Sequence, residues 1–390
     1  MKILILHASA GAGHKRAAQA LEVACLLEGA DAIVHDILDF TPPLFRTTYA
    51  EGYLSMVRST PELWGYLYSL TDRKSQSPWH RRIRAIFNKL NTQAFEQFRR
   101  EVHADAVICT HFLPLEIMGR RTPDGTTQAP LFGVVTDFAA HSLWSCPNVD
   151  GYFTGSEEAR RQLIRRGQSP GRVWVTGIPI SPDFVPPTDI PGLRIRLGLA
   201  PDLPVILILC GGFGVGSIVD VLSSFIQEPL HAQLVVVTGN NKPLKEQATR
   251  KARELMMPVV LHGFVSNIHE LIGVADIVIS KPGGLTSAEA LAMGRPLVIL
   301  DPIPGQEQRN GEYLLEHGAA VRLVDPFDAP FKVWPILENP ERSRSLSAAA
   351  LRLARPHAAQ LIIRQVKQSI TKARSSISNN KSIPSPPMPA

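Results

Sequence analysis

The residues best suited to chemistry begin at a turn of small side chains, Ala8-Ser9-Ala10-Gly11-Ala12-Gly13-His14, which joins the apolar run Ile3–Leu6 to a helix-like stretch from about Lys15 to Leu27. An imidazole at a helix start feels the positive end of the helix dipole, which favours the neutral form required of a general base. The same position also suits a histidine that caps the turn, and the local sequence leaves both roles open. Gly11 and Gly13 fit a G-x-G pattern, but Arg16 stands where a dinucleotide fingerprint has its third glycine, and His14-Lys15-Arg16 is not the Gly-Lys-Ser/Thr ending of a P-loop. NAD and ATP folds therefore lose ground.

The second half carries sharper signals. Cys210-Gly211-Gly212-Phe213-Gly214-Val215-Gly216-Ser217 follows a β-like run and precedes a helical pattern, an arrangement that gathers backbone amides and a helix N-terminus around phosphate. A flexible strand-to-helix turn has the same composition. His262-Gly263-Phe264-Val265 ends another strand, where an aromatic and a backbone edge can hold a planar base, although a buried Phe264 reads identically. Two polar blocks follow, Ser280-Lys281-Pro282-Gly283-Gly284-Leu285-Thr286-Ser287-Ala288-Glu289 and, after one more strand, Pro304-Gly305-Gln306-Glu307-Gln308-Arg309-Asn310.

The elements that must hold these residues alternate between strand and helix. Lys2–His7, Ala32–Leu38, Ala106–Thr110 and Leu131–Thr136 read as buried strands separated by helical segments. A second set runs through 204–210, 233–238, 259–261, 277–279 and 296–300. That alternation implies two doubly wound parallel α/β units. The proline-rich stretch Ile180–Pro191 disfavours helix and central strand, which sets an N-terminal domain at 1–185 and a C-terminal domain at 192–373. Residues 374–390, rich in Ser, Pro and Asn, read as a disordered tail.

The G-G-x-T-x-x-E block at Gly283–Glu289 with P-G-Q-E-x-x-N at Pro304–Asn310 resembles the family 28 glycosyltransferases of the GT-B fold, two facing Rossmann-like domains with an interdomain cleft. Further matches point to the monogalactosyldiacylglycerol synthase and processive diacylglycerol glucosyltransferase branch. They are the glycine turn ending in His14, Val135-Thr136-Asp137-Phe138 with His141 and Trp144, Pro147-Asn148-Val149-Asp150, and Thr176-Gly177-Ile178-Pro179-Ile180. The resemblance spans most of residues 3 to 320. It implies an inverting hexosyltransferase that moves glucose or galactose from a UDP-sugar to the hydroxyl of 1,2-diacylglycerol, with no cofactor and no metal at the catalytic step.

By that resemblance His14 would be the general base, with Asp137 as its partner or competitor. Glu289 would accept the ribose hydroxyls, and Phe264 and Val265 would line the uracil site. Gly211, Gly212, Gly214, Gly284 and Thr286 would face the diphosphate, while Gln306 and Glu307 would hold the sugar. Gly13, His141 and Trp144 would border the acceptor. Gly11-Ala12-Gly13 departs from the successive glycines of the plant synthases, which leaves Asp137 a candidate for the base.

Composition fits an enzyme of this kind without identifying it. At 390 residues, 44% hydrophobic and 19% charged, the chain is long enough for two or three domains at roughly 150 residues each and is far from a disordered composition. Four scattered cysteines without a CxxC pair suit buried, reduced thiols of a cytoplasmic protein. No run approaches the roughly 18 apolar residues that span a bilayer. Within the net charge of +6, residues 73–100 hold eight Lys and Arg, including Arg81, Arg82 and Arg84, against Glu96 alone. Residues 41–100 also hold Phe45, Tyr49, Tyr53, Trp64, Tyr66, Tyr68, Trp79 and Phe87. Basic and aromatic side chains together suit an anionic membrane surface, so the enzyme is expected to be peripheral on the inner face of the cell membrane. A solvated helix face with buried aromatics has the same composition. No nucleic-acid motif accompanies the charge. The rival readings are a UDP-GlcNAc transferase to a polyprenyl-linked acceptor, a UDP-sugar epimerase, and a catalytically silent UDP-sugar or lipid sensor.

Overall fold

The structure is a computed structural model that describes residues 1–9, 11–42, 72, 92–119, 129–210 and 217–380, with backbone only at 92, 93 and 372–380. The first unit contains β1 (Lys2–His7), α1 (Ala12–Leu27), β2 (Asp31–Asp36), α2 (Thr92–Val102), β3 (Ala106–Cys109), α3 (Phe112–Met118), β4 (Leu131–Val134), β5 (Gly151–Thr154), α4 (Glu157–Arg165) and β6 (Val173–Val175). Its strands pair in parallel in the order β2-β1-β3-β4-β5-β6, with Ile3 opposite Ala32 on one side and Ala106 on the other. The run Ile3-Leu4-Ile5-Leu6 is fully buried, as a central parallel strand covered on both faces must be. Ile3 and Ile5 pack with Ala18 and Leu21 of α1, while Leu4 and Leu6 turn to the opposite core with Leu113, Leu115 and Trp144.

The second unit contains α5 (Ile190–Arg196), β7 (Val205–Leu209), α6 (Ile218–Gln227), β8 (Gln233–Val237), α7 (Lys242–Ala252), β9 (Val259–His262), α8 (Ile268–Val274) and β10 (Ile277–Ser280). It continues with α9 (Gly284–Ala292), β11 (Leu297–Ile299), α10 (Gln306–Glu316), β12 (Ala320–Arg322), α11 (Ala329–Leu337) and α12 (Pro340–Leu353). These strands are also all parallel, in the order β12-β11-β10-β7-β8-β9. Ile206 and Ile208 face Val221, Leu222 and Phe225 of α6. Leu207 and Leu209 face a core that also takes in Ala17, Phe138, Ile178 and Ile180 of the first unit. One apolar core therefore crosses between the domains.

The last helix, α13 (Ala358–Asn380), departs from the boundaries expected from sequence. It returns to the first unit and buries Ala359, Ile362, Ile363, Val366 and Ile370 against Ile3, Ile5 and Leu21. Arg364 donates to the Glu28 carboxylate at 2.8 Å and Lys367 to the Glu28 carbonyl at 2.6 Å. Residues 358–370 thus pack with the N-terminal domain, and the helix runs on to 380 rather than giving way to a tail at 374. The reason is the i, i+4, i+8 spacing of Ile362, Val366 and Ile370, an apolar stripe that must find a partner. The chain consequently passes between the units twice, through 180–189 and through 354–357. The second passage lies against the chain just before the first: Gly177, at φ +98°, has no room for a Cβ beside the Arg355 side chain.

Among the described residues, no helix is long and apolar enough to cross a membrane. All four cysteines are buried and unpaired.

Candidate active site

In a doubly wound sheet a ligand crevice opens at the carboxyl ends of the strands where the winding reverses. In the first sheet that point lies between β1 and β3, and the residues there are His14 and Thr110. In the second it lies between β7 and β10, flanked by Cys210 at the end of β7 and by the start of α9. The two crevices face each other, since Gly13 lies against Leu285 and Gly284 against the Thr136 carbonyl.

His14 does not cap its helix; the N-cap of α1 is Gly11, and no side chain caps it. Its Nδ1 instead lies 2.8 Å from the Thr110 carbonyl oxygen, with the Thr136 hydroxyl at 3.1 Å. A carbonyl only accepts, so Nδ1 carries the hydrogen and Nε2 keeps its lone pair, the tautomer of a general base. Burial lowers the pKa of His14, opposed by the charge of Asp137 and the bond to Thr110. The ring is neutral at pH 7. His111 packs edge-on at 4.5 Å, its Nδ1 accepting from Leu113 N.

Asp137 acts on His14 through charge. Its carboxylate accepts from Asn310 Nδ2 at 2.8 Å, and burial raises its pKa against that bond and the nearby His14. Asn310, wholly buried, uses its other amide atom to accept from Phe138 N at 2.9 Å. Phe138 stacks on Tyr313 at 4.8 Å and 11°. The final asparagine of the P-G-Q-E-x-x-N block is thus a clasp between the second domain and the loop that carries Asp137.

The donor side is a cavity of about 380 Å³ whose lining includes Phe264, Val265, Thr286, Glu289 and Arg16. Phe264 is 69% exposed, a free aromatic face rather than a core side chain. Glu289, in α9, is 2% exposed, and its pKa is pushed up to about 7 by burial, resisted by Arg16. Arg16 reaches from α1 to bond Oε1, while Oε2 is buried without a partner. Gly284 opens α9 so close to the Thr136 carbonyl that a Cβ would overlap the oxygen. Glu307 accepts from Ile303 N at 2.9 Å and is pushed up to about 6, chiefly by burial. It stands beside Gly283, and Gln306 opens α10 after Gly305 at φ 101°.

The structure brings His14, Asp137, Gly13, Gly284, Thr286, Phe264, Val265 and Glu289 to one cleft, with Gln306 and Glu307 at the next helix start. Of the residues expected to border the acceptor, Trp144 is 3% exposed within the first core, and His141 caps the short turn Ser142–Trp144 by accepting from Leu143 N. Gly211, Gly212 and Gly214 lie outside the described residues. So do Trp64, Trp79, Arg81, Arg82, Arg84 and the aromatics from Phe45 to Phe87. Ser217, just after that glycine turn, donates its N–H to Asp301 at 2.9 Å. Asp72 receives Arg166 and Arg309, each at 2.7 Å, and Ser142 N at 2.8 Å, joining the two domains by charge. Sequence reasoning gave no role to Thr110, Asp72, Arg16 or Asn310. Of these only Asn310 carried a signal, as the last residue of its motif. Among the described residues, no group of three or more His, Cys, Asp or Glu is arranged to hold a metal ion.

Comparison with known proteins bears on this cleft. Residues 14–180 match the Monogalactosyldiacylglycerol (MGDG) synthase family, and residues 205–329 match the Glycosyltransferase family 28 C-terminal domain. The chain is 30% identical over 383 residues to a processive diacylglycerol beta-glucosyltransferase of Bacillus pumilus, covering 97% of each chain. Among solved structures it resembles S. aureus MnaA with UDP (TM-score 0.60, 14% identity, covering 95% of this chain and 97% of that one). It also resembles Acinetobacter baumannii MurG (TM-score 0.57, 15% identity, covering 94% and 99%). At such identities these two establish the fold, GT-B, and nothing more.

Proposed function

The chain belongs to the monogalactosyldiacylglycerol synthase and processive diacylglycerol glucosyltransferase branch of the family 28 glycosyltransferases, and we propose that the cleft between His14 and Glu289 is where it acts. It is a UDP-sugar-dependent hexosyltransferase that glycosylates the free hydroxyl of 1,2-diacylglycerol. The observation that carries the site reading is His14: a neutral imidazole with its outer nitrogen unprotonated, across a narrow cleft from a cavity with a buried carboxylate.

In the mechanism, His14 Nε2 takes the proton of the lipid hydroxyl as that oxygen attacks the anomeric carbon from the face opposite UDP. The bond from that carbon to the diphosphate oxygen breaks, its electron pair leaves with UDP, and configuration inverts. An α-linked donor therefore gives a β-glycoside. Asp137 stabilises the imidazolium that forms, and the start of α9 at Gly284 and Thr286 favours the departing negative charge. Phe264 and Val265 supply the wall for uracil, Glu289 the acceptor for the ribose hydroxyls, and Gln306 and Glu307 the partners of the sugar hydroxyls. Glucose is the hexose we favour, because the 30% identical relative is named a glucosyltransferase. The basic and aromatic stretch up to Arg100 docks the enzyme on the anionic inner face of the cell membrane, as its composition and the lipid acceptor suggest.

One assay tests this reading: purified protein, diacylglycerol in anionic or neutral vesicles at low and high salt, UDP-glucose or UDP-galactose, and products weighed by mass spectrometry. The expected product is hexosyl-diacylglycerol from UDP-glucose, formed faster on anionic vesicles and slowed by salt. His14→Ala should abolish it while UDP affinity stays within about threefold, since uniform binding and proton transfer are separable. Undiminished turnover by His14→Ala removes His14 from the mechanism, and no lipid product from either donor refutes the acceptor.

A further inference from the structure

Arg16 has no part in the mechanism above, yet it occupies the atom that the mechanism requires. It sits in α1 two residues beyond His14, on the acceptor domain, and its guanidinium bonds Glu289 Oε1 on the donor domain. The other oxygen of that carboxylate, Oε2, is buried and has no partner. Both residues line the cavity that Phe264, Val265 and Thr286 also line. An unpartnered oxygen on a carboxylate that is 2% exposed is costly, and it marks a place where a hydroxyl donor is missing.

A pair of neighbouring ribose hydroxyls that satisfies both oxygens must compete with the guanidinium for Oε1. An arginine is charged at any working pH, so once released it needs another anion within the same cavity. The ligand brings one. A nucleoside diphosphate delivers its diol and its negative charge together, and a diphosphate suits the planar fork of a guanidinium.

We propose that Arg16 is a counter-ion exchanged during donor binding: it neutralises Glu289 in the empty cleft and passes to the diphosphate when the ribose hydroxyls take the carboxylate. The inference rests on the reading of Glu289 as the ribose acceptor. It makes Arg16 a donor-binding residue supplied by the acceptor domain, so the diphosphate pulls that domain onto the donor. The nucleoside alone gains nothing from it and has to displace it.

Calorimetry with UDP and with uridine separates the roles. Arg16→Gln should weaken UDP binding by about tenfold, the loss of one charge-assisted contact, while uridine binding is unchanged or tightened. Arg16→Lys, which keeps the charge but loses the fork, should restore part of the UDP affinity lost in Arg16→Gln. Equal losses for UDP and uridine, or unchanged UDP affinity, overturn the exchange. Glu289→Gln, tested with uridine alone, judges the premise: it should weaken uridine, and unchanged uridine affinity refutes the ribose reading whatever the Arg16 variants do. Arg16 is 38% exposed at its side chain, so its variants should fold, which far-UV circular dichroism checks.

Discussion

Glu289 shows how a residue can serve the site at the expense of the fold. Its folded pKa, raised from 4.5 to about 7, means that burial disfavours the charged form. That strain is absent at pH 4 and grows as pH rises from 4.5 through about 7, reaching roughly 3 kcal/mol by the linkage of pKa to stability. Glu289→Gln removes it and should melt several degrees above the wild type at pH 8, with no gain at pH 4, as calorimetric scans will register. Donor affinity runs the other way. Ribose hydroxyls need the ionised acceptor, so UDP should bind more tightly as pH rises from 6 to 8, and the variant should lose that dependence. An unchanged pH profile would detach the carboxylate from binding. At this scale the sequence disclosed residue types and little of their company. His14 and Glu289 stood out because their motifs are local. Thr110, which fixes the imidazole tautomer, lies 96 positions from His14, and Arg16 lies 273 positions from Glu289, separations that no local pattern encodes.

The helix start at Gly284 works as a contact between elements. With the Thr136 carbonyl where a Cβ would be, Gly284→Ala must push α9 away from the loop that carries Asp137. Displacements of about 1 Å between reacting groups cost on the order of 100-fold in rate, so turnover should fall by about that factor while uridine affinity changes little. A normal rate would show that the cleft closes without this contact. The elements themselves were largely legible: the central strands β1, β7 and β8 are runs of four or more apolar residues, all buried. The short outer strands β5, β6 and β12 were not. Val173-Trp174-Val175, at one edge of its sheet, is three residues long and half solvated, too brief for a period to emerge. The apolar stripe of α13 stands in the sequence at Ile362, Val366 and Ile370, but nothing local says which sheet such a stripe will cover.

The whole molecule depends on that last helix. Burying Ile362, Ile363, Val366 and Ile370 contributes roughly 2 kcal/mol each, comparable in sum with the net stability of a domain. A chain ending at Pro356 should therefore leave the first unit unfolded, seen as loss of the near-UV dichroism of Trp174 and its neighbours, even though residues 1–185 are complete. A folded first unit in the truncated chain would contradict this. The paired passages at 180–189 and 354–357, tight enough that Gly177 admits no side chain beside Arg355, have a mechanical consequence. Two segments of chain crossing side by side act as a double seam: sliding or twisting one unit against the other would strain both at once. The base is thereby held in register over the donor by connectivity as well as by contact.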